Sequence, residues 1–120
     1  MFTISAPTPT IVAFDAIGKI TDEDYKSLLI PALEQAIEKH GNVRALLRFG
    51  PDFDGYTVHA AFDDAVLGIG HLRDFDRIAV ASDEGWIRNG VSMFAHLSSI
   101  PIRVFDADKA EAALAWLAET

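Results

Sequence analysis

The sequence contains no cysteine, which excludes disulfides, thiolate metal sites and a cysteine nucleophile. It is short of basic residues, with 10 Lys+Arg against 18 Asp+Glu and a formal net charge of -8. That balance argues against nucleic-acid binding, which depends on Lys and Arg neutralising phosphates. It equally disfavours simple electrostatic docking onto anionic lipid. No run approaches the roughly 20 apolar residues needed to cross a bilayer. The opening MFTISAPTPT has neither the basic n-region nor the long apolar h-region of a signal peptide, so a cytoplasmic location is expected. Phosphate cradles are absent as well: no GxGxxG follows a strand and no GxxxxGK[ST] occurs. Gly68 and Gly70 fall inside a helical stretch, and no cofactor is expected.

What remains is 120 residues with 50% hydrophobic content, enough for one domain (1–120) that buries roughly two-thirds of its unfolded surface. Periodicity and punctuation give the order β-β-α-β-α-β-α-β-α. Phe2 to Ser5 and Ile11 to Ile17 are the first two strands, and their short connection favours an antiparallel pair at one edge. Thr21 is the expected cap of helix one, with Asp22, Glu23 and Asp24 in its first turn and Gly41 at its end. Pro31 predicts a break near Ser27–Ile30. Strand three is Val43 to Phe49, followed by a loop over 50–55 and helix two over about 56–72. Strand four is Arg77 to Ala81, helix three about Trp86 to Leu97, capped by Ser82-Asp83-Glu84-Gly85, and strand five Ile102 to Phe105. Asp106 is read as the cap of the last helix. Alternation of strands and helices implies parallel pairing. Ligands of such sheets sit outside the carboxyl ends of the strands, which here feed the loops at 50–56, 82–85 and 105–107.

The chemistry-bearing residues do not converge. His59 and Asp63 share a helix face at i, i+4, a spacing more often used for a surface hydrogen bond than for a metal, and no third ligand is evident. His40 and His71 fall near helix ends and His96 on an apolar helix, where partial burial is expected. There is no GxSxG elbow. Thr57 reads first as a helix cap. Asp63 and Asp64 are adjacent and point apart, so they form no acid–base dyad. Helix three is the unusual element. Trp86, Ile87, Val91, Met93, Phe94 and Leu97 leave it few polar positions, and Arg88 is its one formal charge. A helix apolar nearly all round is buried or rests against something else; Met and aromatic residues suit adaptable binding surfaces.

The run GKITDEDYKSLLIPALEQAIEKHGNVRALLRF, with FDGYTVHAAFDD, HLRDFDRIAVASDEGWI and IRVFDADKAEAALAWLAE, resembles the SpoIIAA-like family of STAS/SEC14-type domains over nearly the whole chain. The resemblance implies an α/β fold similar to STAS and CRAL-TRIO domains: a β-α superhelix with a mostly parallel five-stranded sheet, an antiparallel edge strand and four helices. Antagonist-type STAS domains carry a phosphorylatable serine in a D-S-S-G-like turn where helix two begins. Here the turn reads Phe53-Asp54-Gly55-Tyr56-Thr57. The serine pair is missing, Asp54 offers at most a constant negative charge, and Tyr56 stands where the family often has Trp.

Two non-catalytic readings follow. In the first, a small apolar or lipid-like ligand sits between helices two and three, with Phe53, Tyr56 and Thr57 as rim and Phe62, Trp86, Met93 and Phe94 as apolar wall; peripheral membrane contact would accompany it. In the second, the 50–57 loop and helix three form a protein-interaction patch of STAS antagonist type, with a partner protein or a homodimer as occupant. No catalytic residue or metal ligand is assigned.

Overall fold

The structure, a computed structural model, describes residues 1–56 and 75–119. Its main sheet has five strands in the order β1-β2-β4-β6-β7. These are β1 (Phe2–Thr8), β2 (Ile11–Ala16), β4 (Val43–Phe49), β6 (Phe75–Ser82) and β7 (Ile102–Phe105). β1 runs antiparallel to β2, and the pairs β2–β4, β4–β6 and β6–β7 are parallel. Val43–Phe49 and Ile102–Phe105 have the boundaries their apolar runs predict. A second, two-stranded parallel sheet pairs β3 (Gly18–Ile20) with β5 (Phe53–Tyr56). Gly, Pro and Asp content predicts a loop over 50–55 and a helix from about Tyr56. Both points are corrected: Gly, Pro and Asp mark the turn at 50–52, and the strand follows it.

Among the described residues there are three helical units rather than the four expected. The remainder of expected helix two, including His59, Asp63 and His71, lies outside the described residues. The first unit begins with α1 (Asp22–Asp24), capped as expected: Asp24 N–H donates to Thr21 Oγ1 at 3.2 Å and Thr21 N–H to Asp24 Oδ2 at 2.9 Å, a reciprocal capping box. The expected break is a π-helical turn over Tyr25–Leu29, after which α2 runs from Ile30 to His40. Pro31 has no N–H for the carbonyl one turn back, so a wider turn precedes it. Gly41 ends the helix at φ 79°, where a side chain would be strained. The other units are α3 (Gly85–Leu97) and α4 (Ala110–Ala118).

Alternation along the strands sorts the core into two layers. Val12, Phe14, Val43, Ala45, Phe49 and Val80 meet Leu29 and Leu33 of the first helical unit and Ile87 and Val91 of α3. On the opposite face Ile11, Leu46, Ala79 and Ala81 meet Ala113 and Leu117 of α4. That face also carries Arg44 and Arg77, which close over the end of α4. Arg77 Nη1 donates to Trp116 O at 2.6 Å and its guanidinium lies 5.1 Å from the Trp116 ring centroid. Arg44 donates to the carbonyls of Leu117 and Glu119. Cationic donors thus satisfy carbonyls left open by the last turn.

Candidate functional site

Register places the expected loops at one level. Phe49 is opposite Ser82 and Ala81 is opposite Phe105, so the segments after β4, β6 and β7 leave the sheet side by side. Side chains then tie them together. Arg88 Nη1 donates to Ser82 O at 2.7 Å and Phe105 O at 3.0 Å and lies 3.2 Å from Asp106 Oδ1. Asp83 Oδ1 accepts from Ala107 N–H at 3.1 Å, and Arg48 donates through Nε to Ala107 O at 3.3 Å. Arg48 Nη1 meets Asp15 Oδ1 at 2.9 Å.

Two capping expectations are corrected by these bonds. Ser82 Oγ accepts from Glu84 N–H at 3.0 Å, within the loop, and α3 starts behind Glu84 with no side-chain cap bond. Asp83 is spent on Ala107. Asp106 does not cap α4, whose N-cap position is Lys109, three residues beyond it; the Asp106 carboxylate goes to Arg88 instead. In each case a carboxylate found a full cation or a loop N–H closer than the helix end.

The 50–56 segment is anchored from the other side. Gly18 N–H donates to Asp52 O at 2.7 Å. Gly18 then pairs with Phe53 and Lys19 with Gly55, leaving Asp54 as the extra residue of a bulge. Gly55 sits at φ 110°, which explains glycine beside the bulge. Asp54 is exposed. Phe53 is buried, its ring edge-on to Phe49 with centroids 4.9 Å apart, so its apolar surface serves the core.

α3 carries the remaining candidates. Ile87 and Val91 are buried, and Phe94 is half-buried. Trp86 is 40% exposed, Met93 69% and Leu97 83%. With Gly90 they form one stripe at i, i+4, i+7 and i+11, about 16 Å long at 1.5 Å per residue. Leu97 was not among the predicted site residues, although it lies one turn beyond Met93 on the same face. His96 is exposed rather than partly buried. Thr57 and Phe62 lie outside the described residues, so the structure brings together Trp86, Met93 and Phe94 on α3 and places Tyr56 at the end of β5.

A cleft of about 560 Å³ opens on the other face of the sheet, between β1–β2 and the start of α4, lined by Ser5, Ala13, Asp15, Arg48, Lys109 and Leu114. Among the described residues a single helix, α4, packs on that face. The cleft's charges are of both signs, and Arg48 and Asp15 already answer each other. Among the described residues no buried side-chain N or O lacks a partner, and no three His, Cys, Asp or Glu side chains gather as a metal set. The polar groups at the carboxyl end are engaged in holding loops together, and what is offered outward is apolar surface on α3. No helix among the described residues is long and apolar enough to cross a membrane.

Comparison with known proteins agrees with this architecture. The SpoIIAA-like family model matches residues 11–118. An uncharacterised protein with a SpoIIAA-like fold from Shewanella loihica PV-4, of the DUF3478 family, is 30% identical, and the match covers 98% of this chain and 92% of that one with a TM-score of 0.69. The anti-sigma factor antagonist SpoIIAA in its unphosphorylated form is 15% identical, covering 99% of this chain and 100% of that one with a TM-score of 0.66. No curated protein matches the chain. With a family model spanning residues 11–118 and a sheet built to the same plan, the chain belongs to the SpoIIAA-like family.

Proposed function

We propose that this chain is a non-catalytic interaction domain in which a partner protein seats on the outer stripe of α3. The observation that carries the reading is the exposure of Met93 and Leu97, 69% and 83%, on one face of a helix whose other face supplies core. An anti-sigma factor antagonist shares the fold, which supports a protein as the occupant. The 50–56 segment carries a constant negative charge at exposed Asp54 and holds neither Ser nor Thr.

Magnitudes set the character of the contact. Burying Met93 and Leu97 contributes about 1.5–3 kcal/mol each, less in sum than most estimates of association cost, of order 4–15 kcal/mol. A stable complex therefore needs Trp86 and polar contacts around it as well.

A photo-crosslinking residue at Leu97, compared with one at exposed Glu34 on α2, tests this in the native host. A protein that crosslinks from position 97 only, and whose capture is lost in a Met93→Asp/Leu97→Asp chain that still folds, supports the reading. Flotation of the parent with neutral lipid vesicles, with no protein crosslinked from 97, overturns it and gives the stripe to lipid or an apolar ligand. Capture that survives the double substitution overturns it as well.

A further inference from the structure

The main sheet ends in two very different edges. β7 is short, four residues, follows Pro101 and carries exposed Arg103. Brevity, proline and charge are the devices that keep an edge from pairing with another chain. β1 has seven residues, six of them exposed, and no charged side chain occurs from Met1 to Phe14. In a chain of net charge -8, a second copy can approach along this edge without like-charge repulsion between strand side chains.

The ladder fixes which backbone groups face outward. Met1 and Ile17 exchange both hydrogen bonds, each at 2.8 Å. In an antiparallel pair bonded and non-bonded positions alternate. Thr3 opposite Asp15 and Ser5 opposite Ala13 are then the bonded pairs, and the N–H and C=O of Ile4 point away from β2. Ile4 is itself 43% exposed.

We propose that β1 is a self-pairing edge, through which two copies join antiparallel about a two-fold axis at Ile4 into one continuous sheet. In that register Ile4 exchanges two hydrogen bonds with Ile4 of the second copy. Thr3 lies opposite Ser5 on the α4 side, and the interface closes on itself. The far end of β1 limits slippage. The pairing with β2 shifts between Ser5 and Thr8, and Pro7 offers no N–H to a neighbour, so residues before it set the register. This surface is distinct from the α3 stripe, and each stands if the other fails.

Sedimentation velocity over a micromolar-to-millimolar range, with amide exchange of the full chain, is the test. The parent is expected to dimerise, and the Ile4 amide to exchange more slowly as concentration rises. Ile4→Lys places like charges opposite each other across the axis and is expected to weaken dimerisation at least about tenfold, or 1.4 kcal/mol. Met93→Asp/Leu97→Asp should leave it unchanged. A parent that stays monomeric with a concentration-independent Ile4 amide overturns the proposal. So does a dimer that the α3 double substitution dissolves and Ile4→Lys does not. If Ile4→Lys fails to fold, the concentration dependence of the parent's Ile4 amide decides alone.

Discussion

α3 and α4 are both rich in apolar residues, yet the fold uses them differently. Among the described residues α4 is the one helix on its side of the sheet, with Ala113 and Leu117 buried and Trp116 between Phe105, ring centroids 6.0 Å apart, and the Arg77 guanidinium. Its surplus surface is covered by arginines from β4 and β6. α3 needs Ile87 and Val91 for the core and still presents Met93 and Leu97 to solvent. Two apolar-rich helices thus differ in whether their apolar residues exceed what the sheet can bury. That excess, and not apolar content, separates a structural helix from one available for contact.

The sharpest way to break the comparison is to shorten one leucine in each helix. Leu117→Ala empties a fully buried position and should cost about 2–5 kcal/mol, whereas Leu97→Ala should stay within about 0.5 kcal/mol; urea midpoints measure both. A Leu97 cost near that of Leu117 would place it in the core. Next in size is Arg77→Ala, which removes the donor to Trp116 O and the ring contact. A loss of about 1–2 kcal/mol is expected, against a few tenths for exposed Asn89→Ala on α3. Smaller again is the difference between helix starts, since α3 and α4 lack side-chain cap bonds while α1 has a capping box. Thr21→Ala should cost about 1 kcal/mol.

The same start carries a pH signature. Burial alone would raise the Asp24 carboxyl, but the bond from the Thr21 backbone N–H, the Met1 ammonium and the Thr21 hydroxyl outweigh it and hold it below the usual carboxylate value. A depressed folded-state value stabilises above the unfolded pKa and is lost as pH falls through the folded one. Unfolding followed down through the carboxylate range should show that loss in the parent and less of it in Asp24→Asn. Last and smallest, with Trp116→Phe leaving Trp86 as emitter, acrylamide should quench more strongly than with Trp86→Phe.

Much of this architecture was legible from residue order. Val43–Phe49 and Ile102–Phe105 are mostly apolar stretches bounded by turn residues, Thr21 and Gly41 are helix punctuation, and Pro31 located the π-helical turn. The β3–β5 sheet was not legible, because three-residue Gly18–Ile20 has no periodicity to read and its partner lies beyond an intervening helix and strand. Asp83 and Asp106 misled as caps because the arginine and the amide that claim them arrive from distant sequence. Of the site, the apolar character of α3 was readable, but which residues face outward depends on where the sheet ends beneath it. That is why Phe53 proved to be core and Leu97 surface.

The arginine clamp on α4 has a further consequence, for the order in which the chain comes apart. Arg44 and Arg77 hold the last turn, while the first turn, at Lys109–Ala112, borders an open cleft without a cap. Fraying is therefore expected to be directional, entering at Ala110 and halting at Leu117, as amide exchange would read. α4 is in that sense a strip fastened at one end, its C-terminal half expected to stay docked through openings that melt the rest.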